Sequence, residues 1–198
     1  MPSNTIQTTK TGKSQSKKSY LSDKEVSQLL EVAKSTRYGT RDQALILLTF
    51  RHGLRASEAV AMQWDQVDLK ASRLHVTRLK GSDDSVHVLE ADEVRLLTQL
   101  KKLQKDNAFV FVSERGTPMT ADNFLKLAKR LGKEAGFSFN VHPHMLRHGA
   151  GFQLVNAGAS TRQIQAFLGH KNLKHTELYT KLNAEVFKGF GRKIGGKL

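Results

Sequence analysis

The chain has 198 residues, a length that suits one domain, and a formal net charge of +14 from 32 Lys and Arg against 18 Asp and Glu. This charge favours a nucleic acid over a small acidic substrate as the partner, the alternative being an ordinary basic protein with extra lysines. The lack of cysteine excludes disulfides and thiolate metal sites. No stretch suits a signal peptide or a membrane span, so we expect a cytoplasmic, nucleoid-associated protein.

The N-terminal third of the sequence predicts an unstructured arm followed by three helices. Ser, Thr, Lys, Gln and Gly dominate residues 1–19, which predicts a disordered basic arm that either follows a DNA backbone or is an inert leader. Ordered structure should begin at Ser22, because Ser22 and Glu25 can form a capping box before apolar residues at helical spacing. A second helix is predicted over residues 40–51, and a short third helix should begin near Ala56.

The middle of the chain predicts a change from helix to strand. Apolar residues alternate on both sides of a Gly-Ser-Asp-Asp turn, which predicts an antiparallel hairpin over residues 67–89 with Lys80 beside its turn. Helical spacing returns over residues 91–105. A short buried strand is predicted at residues 109–112, where four apolar residues precede a turn that contains glycine and proline.

The C-terminal third is mainly helical in its spacing. Three further helices are predicted, over residues 120–135, 143–156 and 161–167. Tyr179 falls on or beside a last short helix, and residues 182–198 form a flexible extension with apolar anchors at Phe187, Phe190 and Ile194. The predicted fold class is therefore mainly α with a small antiparallel β-sheet (α+β), in one folded domain over residues 20–181.

Two arginines in separate segments are suited to bind one phosphate. A phosphodiester has two non-bridging oxygens that share one negative charge, and a planar guanidinium offers them paired, charge-assisted hydrogen bonds. We interpret Arg55 and Arg147 as the two ligands, which would stabilise the added charge of a pentavalent transition state. For Arg55 the alternative is a plain ion pair with Glu58, three residues further on.

Tyr179 is the candidate nucleophile, although its most common role would be packing. A tyrosine of ordinary pKa, about 10, attacks poorly at neutral pH and needs cationic neighbours and a base. His144 lies three residues before Arg147 and on the same helical face. His144 can therefore accept the tyrosine proton or donate a hydrogen bond to the phosphate.

Three other residues have weaker signals. His170 follows a glycine at a predicted helix end and is placed to donate to a phosphate oxygen. Lys80 suits protonation of the leaving oxygen, the alternative being a solvated turn lysine. His148, one residue further round the helix than Arg147, is expected to pack or cap.

A metal site is the main chemical alternative, because five histidines fall between residues 142 and 175. His144 and His148 are four residues apart, but the Glu of the H-E-x-x-H arrangement is missing. No Asp or Glu lies between His142 and His175, which disfavours a two-metal nuclease. We expect neither a metal nor another cofactor.

Together, these residues resemble the tyrosine recombinase (phage integrase) family. The match consists of Gly53-Leu54-Arg55-Ala56-Ser57-Glu58, Lys80 in the hairpin, His144-Met145-Leu146-Arg147-His148, Leu168-Gly169-His170 and Tyr179. Each motif is short, but their order and spacing agree with the family over residues 20–181. The chain is most similar to the compact fimbrial phase-variation recombinases, because only a short arm precedes the region that would be the catalytic domain.

The resemblance implies strand exchange at specific sites on double-stranded DNA, through a 3′-phosphotyrosine and a free 5′-hydroxyl. It assigns phosphate binding to Arg55 and Arg147, leaving-group protonation to Lys80, assistance to His144 and His170, and attack to Tyr179. It also implies a homotetramer on paired DNA sites, with accessory DNA-bending proteins as further partners. In such a tetramer residues 182–198 would dock on a neighbouring subunit, the alternative being packing on their own domain.

Two other functions fit the same scaffold. A type IB topoisomerase-like enzyme would nick and close DNA by the same chemistry without exchanging strands. An inactive regulator would bind DNA without cutting it. The DNA target, and the choice among inversion, integration, excision and resolution, stay open at the level of sequence.

Overall fold

The computed structural model of the chain describes residues 18–78, 83–104, 107–170, 176 and 179. The helices in this part are α1 (Asp23–Lys34), α2 (Gly39–Arg51), α3 (Ala56–Val60), α4 (Ala91–Leu103), α5 (Ala121–Glu134), α6 (Pro143–Asn156) and α7 (Thr161–Leu168). The strands are β1 (Val67–Asp68), β2 (Arg73–Val76) and β3 (Ser85–Val88). The predicted fold class, mainly α with a small antiparallel sheet, is confirmed. None of the helices described is long and apolar enough to cross a membrane.

The helix starts follow the local signals in the sequence. The Glu25 carboxylate accepts hydrogen bonds from the Ser22 backbone nitrogen at 2.9 Å and the Ser22 hydroxyl at 2.8 Å. These bonds satisfy a donor at the start of α1 that no helical carbonyl reaches. The Thr120 hydroxyl accepts from the Asn123 backbone nitrogen at 3.1 Å and caps α5 in the same way. Both starts agree with the predictions.

The sheet is antiparallel, in the order β1-β2-β3. Leu74 and Val76 on β2 are buried, whereas Val86 and Val88 on β3 are exposed. The predicted hairpin is confirmed for β2 and β3, which pair over residues 73–76 and 85–88. Residues 79–82, which include Lys80 and the first half of the turn, lie outside the described residues.

The predicted strand at residues 109–112 is wrong. Val110 and Phe111 are fully buried, as expected, but this segment pairs only through single bridges, one from Phe109 and one from Val112. The hydrogen bond from the Val110 nitrogen to the Met62 carbonyl, at 2.9 Å, belongs to the first of these bridges, and neither bridge extends into a ladder. A short apolar run therefore predicted the burial correctly and the hydrogen-bonding pattern incorrectly.

Two groups of buried apolar side chains hold the helices together. The larger centres on α2, whose residues 44–48 are all buried, and α2 packs against α1, α4 and α6. The smaller group lies between α6 and α7 and includes Phe152, Leu168 and Tyr179. This packing places the candidate site between α6, α7 and the segment that follows α2.

The proposed limits of the folded domain stay predictions. Residues 1–17 of the predicted arm and the whole of residues 182–198 lie outside the described residues.

Candidate active site

A single carboxylate, Glu58 on α3, gathers three arginines. Its Oε1 accepts from Arg55 Nη1 at 2.5 Å, and its Oε2 accepts from Arg78 Nη1 at 2.9 Å and from the Arg55 backbone nitrogen at 2.8 Å. Arg147 Nη1 lies 3.8 Å from the same Oε2. Burial alone would raise the pKa of Glu58, but the hydrogen bonds from Arg55 and the charge of Arg78 outweigh it and lower the pKa. Glu58 is therefore an ionised anchor for all three guanidiniums.

The Arg55–Glu58 ion pair, raised above as an alternative to phosphate binding, is thus present. The Glu58 side chain is 1% exposed, whereas that of Arg55 is 29% exposed. A guanidinium has five N–H donors, and this pair occupies only one of them. The ion pair therefore orients Arg55 and leaves donors for a phosphate.

The three arginines also cap the C-terminal end of α7. Arg78 Nη2 donates to the Phe167 carbonyl, Arg147 Nη2 to the Leu168 carbonyl at 2.7 Å, and Arg55 Nη2 to the Gly169 carbonyl at 3.2 Å. The last carbonyls of a helix lack helical partners and carry partial negative charge, so they attract cations. Three consecutive carbonyls therefore fix three guanidiniums side by side.

Arg147 on α6 has the more deeply buried side chain of the two predicted phosphate ligands. Its Nη1 donates to the Gly53 carbonyl, two residues before Arg55. Burial, together with the charges of Arg55 and Arg78, lowers the pKa of Arg147 to about 10. Arg147 is still cationic at neutral pH, so it brings a fixed positive charge to the site.

Tyr179 packs inside its own subunit beside the arginines. It is 1% exposed, its ring meets Phe152 edge-on at 5.4 Å between centroids, and its hydroxyl lies 2.9 Å from Nδ1 of His148. Burial raises the pKa of Tyr179, and the charge of Arg147 partly opposes this shift. The expectation that His148 only packs or caps is wrong, because a hydrogen bond links it to the candidate nucleophile.

The other histidines surround this pair. The His144 ring is centred 6.4 Å from that of His148, and burial, followed by the charges of Arg147 and Arg55, lowers the pKa of His144. The His170 ring lies nearly parallel to that of Tyr179 at 6.3 Å. Both rings are therefore neighbours of the site, as the sequence predicts.

A fixed contact also orients His170. Its Nδ1 lies 3.0 Å from the Thr176 hydroxyl, and Thr176 is fully buried. The structure thus brings together five of the six predicted site residues, and the sixth, Lys80, lies outside the described part of the chain. Within that part no group of three or more His, Asp or Glu side chains could hold a metal ion.

Sequence reasoning missed two contributors to the site. His148 directly follows Arg147, so its position in the motif was visible, but its contact with Tyr179 depends on the fold. Arg78 has no motif of its own; its only signal is a position two residues before Lys80. The sequence indicates Glu58 only as a partner of Arg55, because its role as a common anchor depends on contacts distant in sequence.

Gly151 on α6 leaves the space that the Tyr179 ring occupies. A Cβ at Gly151 would lie 2.6 Å from Tyr179 Cζ, so we expect Gly151→Ala to displace the ring and break its bond to His148. Mass spectrometry after tetranitromethane treatment should show increased nitration of Tyr179. Gly149→Ala is the matched control, because a Cβ there would crowd Leu21 and Phe50 instead. Unchanged nitration of Tyr179 in Gly151→Ala would contradict the tight packing.

Comparison with known proteins agrees with this geometry. The pattern of the phage integrase family matches residues 19–185. The chain is 37% identical over 186 residues to the type 1 fimbriae regulatory protein FimB of Escherichia coli K12, a match that covers 91% of this chain and 93% of FimB. It is 39% identical over 181 residues to FimE of the same strain, covering 88% of this chain and 91% of FimE.

A solved structure shows the same fold. The crystal structure of XerA recombinase superposes with a TM-score of 0.76 and 30% sequence identity, over 90% of this chain and 66% of the XerA chain. The resemblance drawn from the scattered motifs is therefore confirmed by similarity along most of the chain. We conclude that the chain belongs to the phage integrase family and is a site-specific tyrosine recombinase.

Proposed function

We propose that Tyr179 attacks a DNA phosphate held by Arg55 and Arg147. A bond forms between the tyrosine oxygen and phosphorus, and the bond from phosphorus to the 5′-oxygen breaks. The products are a 3′-phosphotyrosine and a 5′-hydroxyl. The ester retains the energy of the broken bond, so a second 5′-hydroxyl can reverse the reaction on another strand. The observation that carries this proposal is the hydrogen bond between the Tyr179 hydroxyl and Nδ1 of His148, the residue after Arg147.

The donors left on the two arginines support phosphate binding. Arg55 uses two N–H groups, on Glu58 and the Gly169 carbonyl. Arg147 also uses two, on the carbonyls of Gly53 and Leu168. Each guanidinium therefore keeps three of its five donors for phosphate oxygens. Because both guanidiniums are held before DNA arrives, little reorganisation is needed as charge develops in the transition state.

Two histidines can receive the proton of Tyr179. Burial, then the charges of His144 and Arg147, lowers the pKa of His148, so at neutral pH it is uncharged and able to accept. His148 is the first acceptor by contact. His144, at the edge of the same group, then either passes the proton to solvent or donates to the phosphate.

The remaining roles follow the family resemblance. We propose that His170 donates to a phosphate oxygen and that Lys80 protonates the leaving 5′-oxygen. The position of the His170 ring beside that of Tyr179 supports a role for His170 at the same phosphate.

The similarity to FimB and FimE over more than nine-tenths of each relative leads us to propose inversion of a DNA segment, in the cytoplasm on the nucleoid. The test uses a plasmid that carries the DNA flanking the coding region, incubated with the purified protein. We expect PCR to detect an inverted junction and denaturing gels to show protein linked to DNA. Relaxed plasmid without a new junction would instead indicate a topoisomerase, and binding without linkage an inactive regulator.

We also propose a homotetramer on paired sites, assisted by DNA-bending proteins, with residues 182–198 docked on a neighbouring subunit. The apolar side chains of Phe187, Phe190 and Ile194 among Lys and Gly support this role. Deleting residues 184–198 should reduce the DNA-bound complex from tetramer to smaller species, measured by light scattering. If the complex without residues 184–198 is still a tetramer, docking on a neighbouring subunit is contradicted. A full-length variant with serine in place of Phe187, Phe190 and Ile194 controls for the change in chain length.

A further inference from the structure

We propose that Arg78 is a positioning residue for strand cleavage, which holds Arg55 and Arg147 in place for the phosphate by occupying Glu58 and the end of α7. This inference rests on the function proposed above and concerns the same site. Arg78 follows β2, outside every motif that marks the catalytic residues. The contacts of its guanidinium, its burial and the charge balance around Glu58 support the proposal.

Arg78 links three parts of the fold that are distant in sequence. Its Nη1 donates to Glu58 on α3 at 2.9 Å, and its Nη2 donates to the Phe167 carbonyl on α7. Its backbone nitrogen donates to the Asp84 carboxylate at 2.8 Å, just before β3. One residue therefore fixes α3 and α7 relative to the base of the hairpin.

Burial separates Arg78 from Arg55, the more exposed of the two proposed phosphate ligands. The Arg78 side chain is 0% exposed, that of Arg147 is 5% exposed and that of Arg55 is 29% exposed. Because both terminal nitrogens of Arg78 are already bonded to Glu58 and the Phe167 carbonyl, we assign it an effect that passes through those contacts. Burying a guanidinium is costly unless it is well paired; the two terminal nitrogens of Arg78 are paired with a carboxylate and a carbonyl, whereas its Nε is buried without a hydrogen-bond partner in the described part of the chain.

Arg78 also controls which arginine Glu58 binds. Oε2 of Glu58 already accepts two hydrogen bonds, from Arg78 Nη1 and the Arg55 backbone nitrogen, which fills its two lone pairs. Arg147 Nη1 stays 3.8 Å from Oε2 and donates to the Gly53 carbonyl instead. Without Arg78, Arg147 would move onto the vacated oxygen and away from the phosphate.

Close packing at the end of α7 supports this view of Arg78. Gly169 has a φ of +63°, and a Cβ there would lie 3.0 Å from Cδ and Nε of Arg78. The side chain of Arg78 therefore passes directly beneath the residue that precedes His170. A lysine at position 78 can satisfy Glu58 or the Phe167 carbonyl, but a single ammonium cannot match the fork that reaches both.

The test compares Arg78→Lys with Arg73→Lys in the full-length protein on the DNA site identified by the inversion assay. Arg73 lies on β2 with an exposed side chain, so the same change there should leave cleavage unaltered. For Arg78→Lys we expect single-turnover formation of the covalent adduct to slow by about 100-fold, the loss that a small misplacement of reacting groups produces. DNA affinity should change less than about twofold, because the charge is kept.

Two measurements separate positioning from a merely structural role. In a double-mutant cycle with Glu58→Gln, the two losses of rate should be strongly non-additive, since both act through one contact. A substrate with a 5′-bridging sulfur, whose departure needs no proton, should not restore cleavage by Arg78→Lys. Restoration would mean that Arg78 acts on the leaving group, and would overturn the proposal.

Other outcomes are equally decisive. Cleavage by Arg78→Lys at the wild-type rate would overturn the proposed positioning role. A loss of rate that equals the loss of folded protein measured by thermal unfolding would overturn it as well. Failure of the unmodified protein to form any adduct would refute the proposed function itself, which is a different result.

Discussion

Replacing Tyr179 by phenylalanine is expected to reduce covalent attachment to DNA below detection while DNA binding stays intact. The change removes only the hydroxyl proposed to attack the phosphate and its bond to His148, while the ring keeps its contact with Phe152. Loss of one neutral hydrogen bond costs about 1 kcal/mol, so the protein should stay folded. A nicked substrate that traps the covalent intermediate, run on a denaturing gel, measures the effect.

Tyr38→Phe is the matched control for this experiment. Tyr38 lies at the start of α2, where its ring packs against Arg41, and the same loss of a hydroxyl there should leave adduct formation unchanged. An adduct that persists in Tyr179→Phe would show that another side chain is the nucleophile, and the proposed chemistry would be wrong.

Arg147→Lys should slow cleavage by roughly 100- to 1,000-fold, the range found when one fixed donor to a developing oxyanion is lost. The positive charge is kept, so DNA affinity and its dependence on salt should change little. The change removes the planar fork that donates to the Gly53 and Leu168 carbonyls at once and, in the proposed mechanism, also donates to the phosphate. Single-turnover cleavage measures the rate, and filter binding over a range of salt measures the affinity.

Arg130→Lys on α5 controls for the general effect of exchanging arginine for lysine. The Arg130 side chain is 53% exposed and lies outside the proposed site. Cleavage by Arg147→Lys at a rate close to that of Arg130→Lys would mean that Arg147 does not bind the phosphate.

The parts of the fold predicted well are those that neighbouring residues determine. A capping box set the start of α1 at Ser22, and alternating apolar residues gave the β2–β3 hairpin. The strand predicted at residues 109–112 failed because a short apolar run reveals burial but not which backbone groups will pair. That choice depends on loops brought close by the rest of the fold, such as the one that contains Met62.

The same limit explains what was missed in the site. The recombinase motifs identified candidate residues by type, order and spacing, and a role could be assigned to each. Arg78 contributes through partners 20 and 89 residues away, Glu58 and the Phe167 carbonyl, and no local pattern marks such a residue. His148 was visible in the sequence, but its hydrogen bond to Tyr179 depends on how α6 meets the segment after α7.

Tyr179 packs against α6 of the same chain, and this determines how an inactivating mutation in one subunit would affect an assembly of several subunits. The proposed nucleophile and both proposed phosphate ligands belong to one polypeptide, so in the proposed assembly each protomer would cut its own strand. A protomer that lacks Tyr179 would then not be rescued by the tyrosine of a neighbouring protomer. Mixing a Tyr179 variant with an Arg147 variant would not restore cleavage, and each inactive protomer would leave one strand uncut.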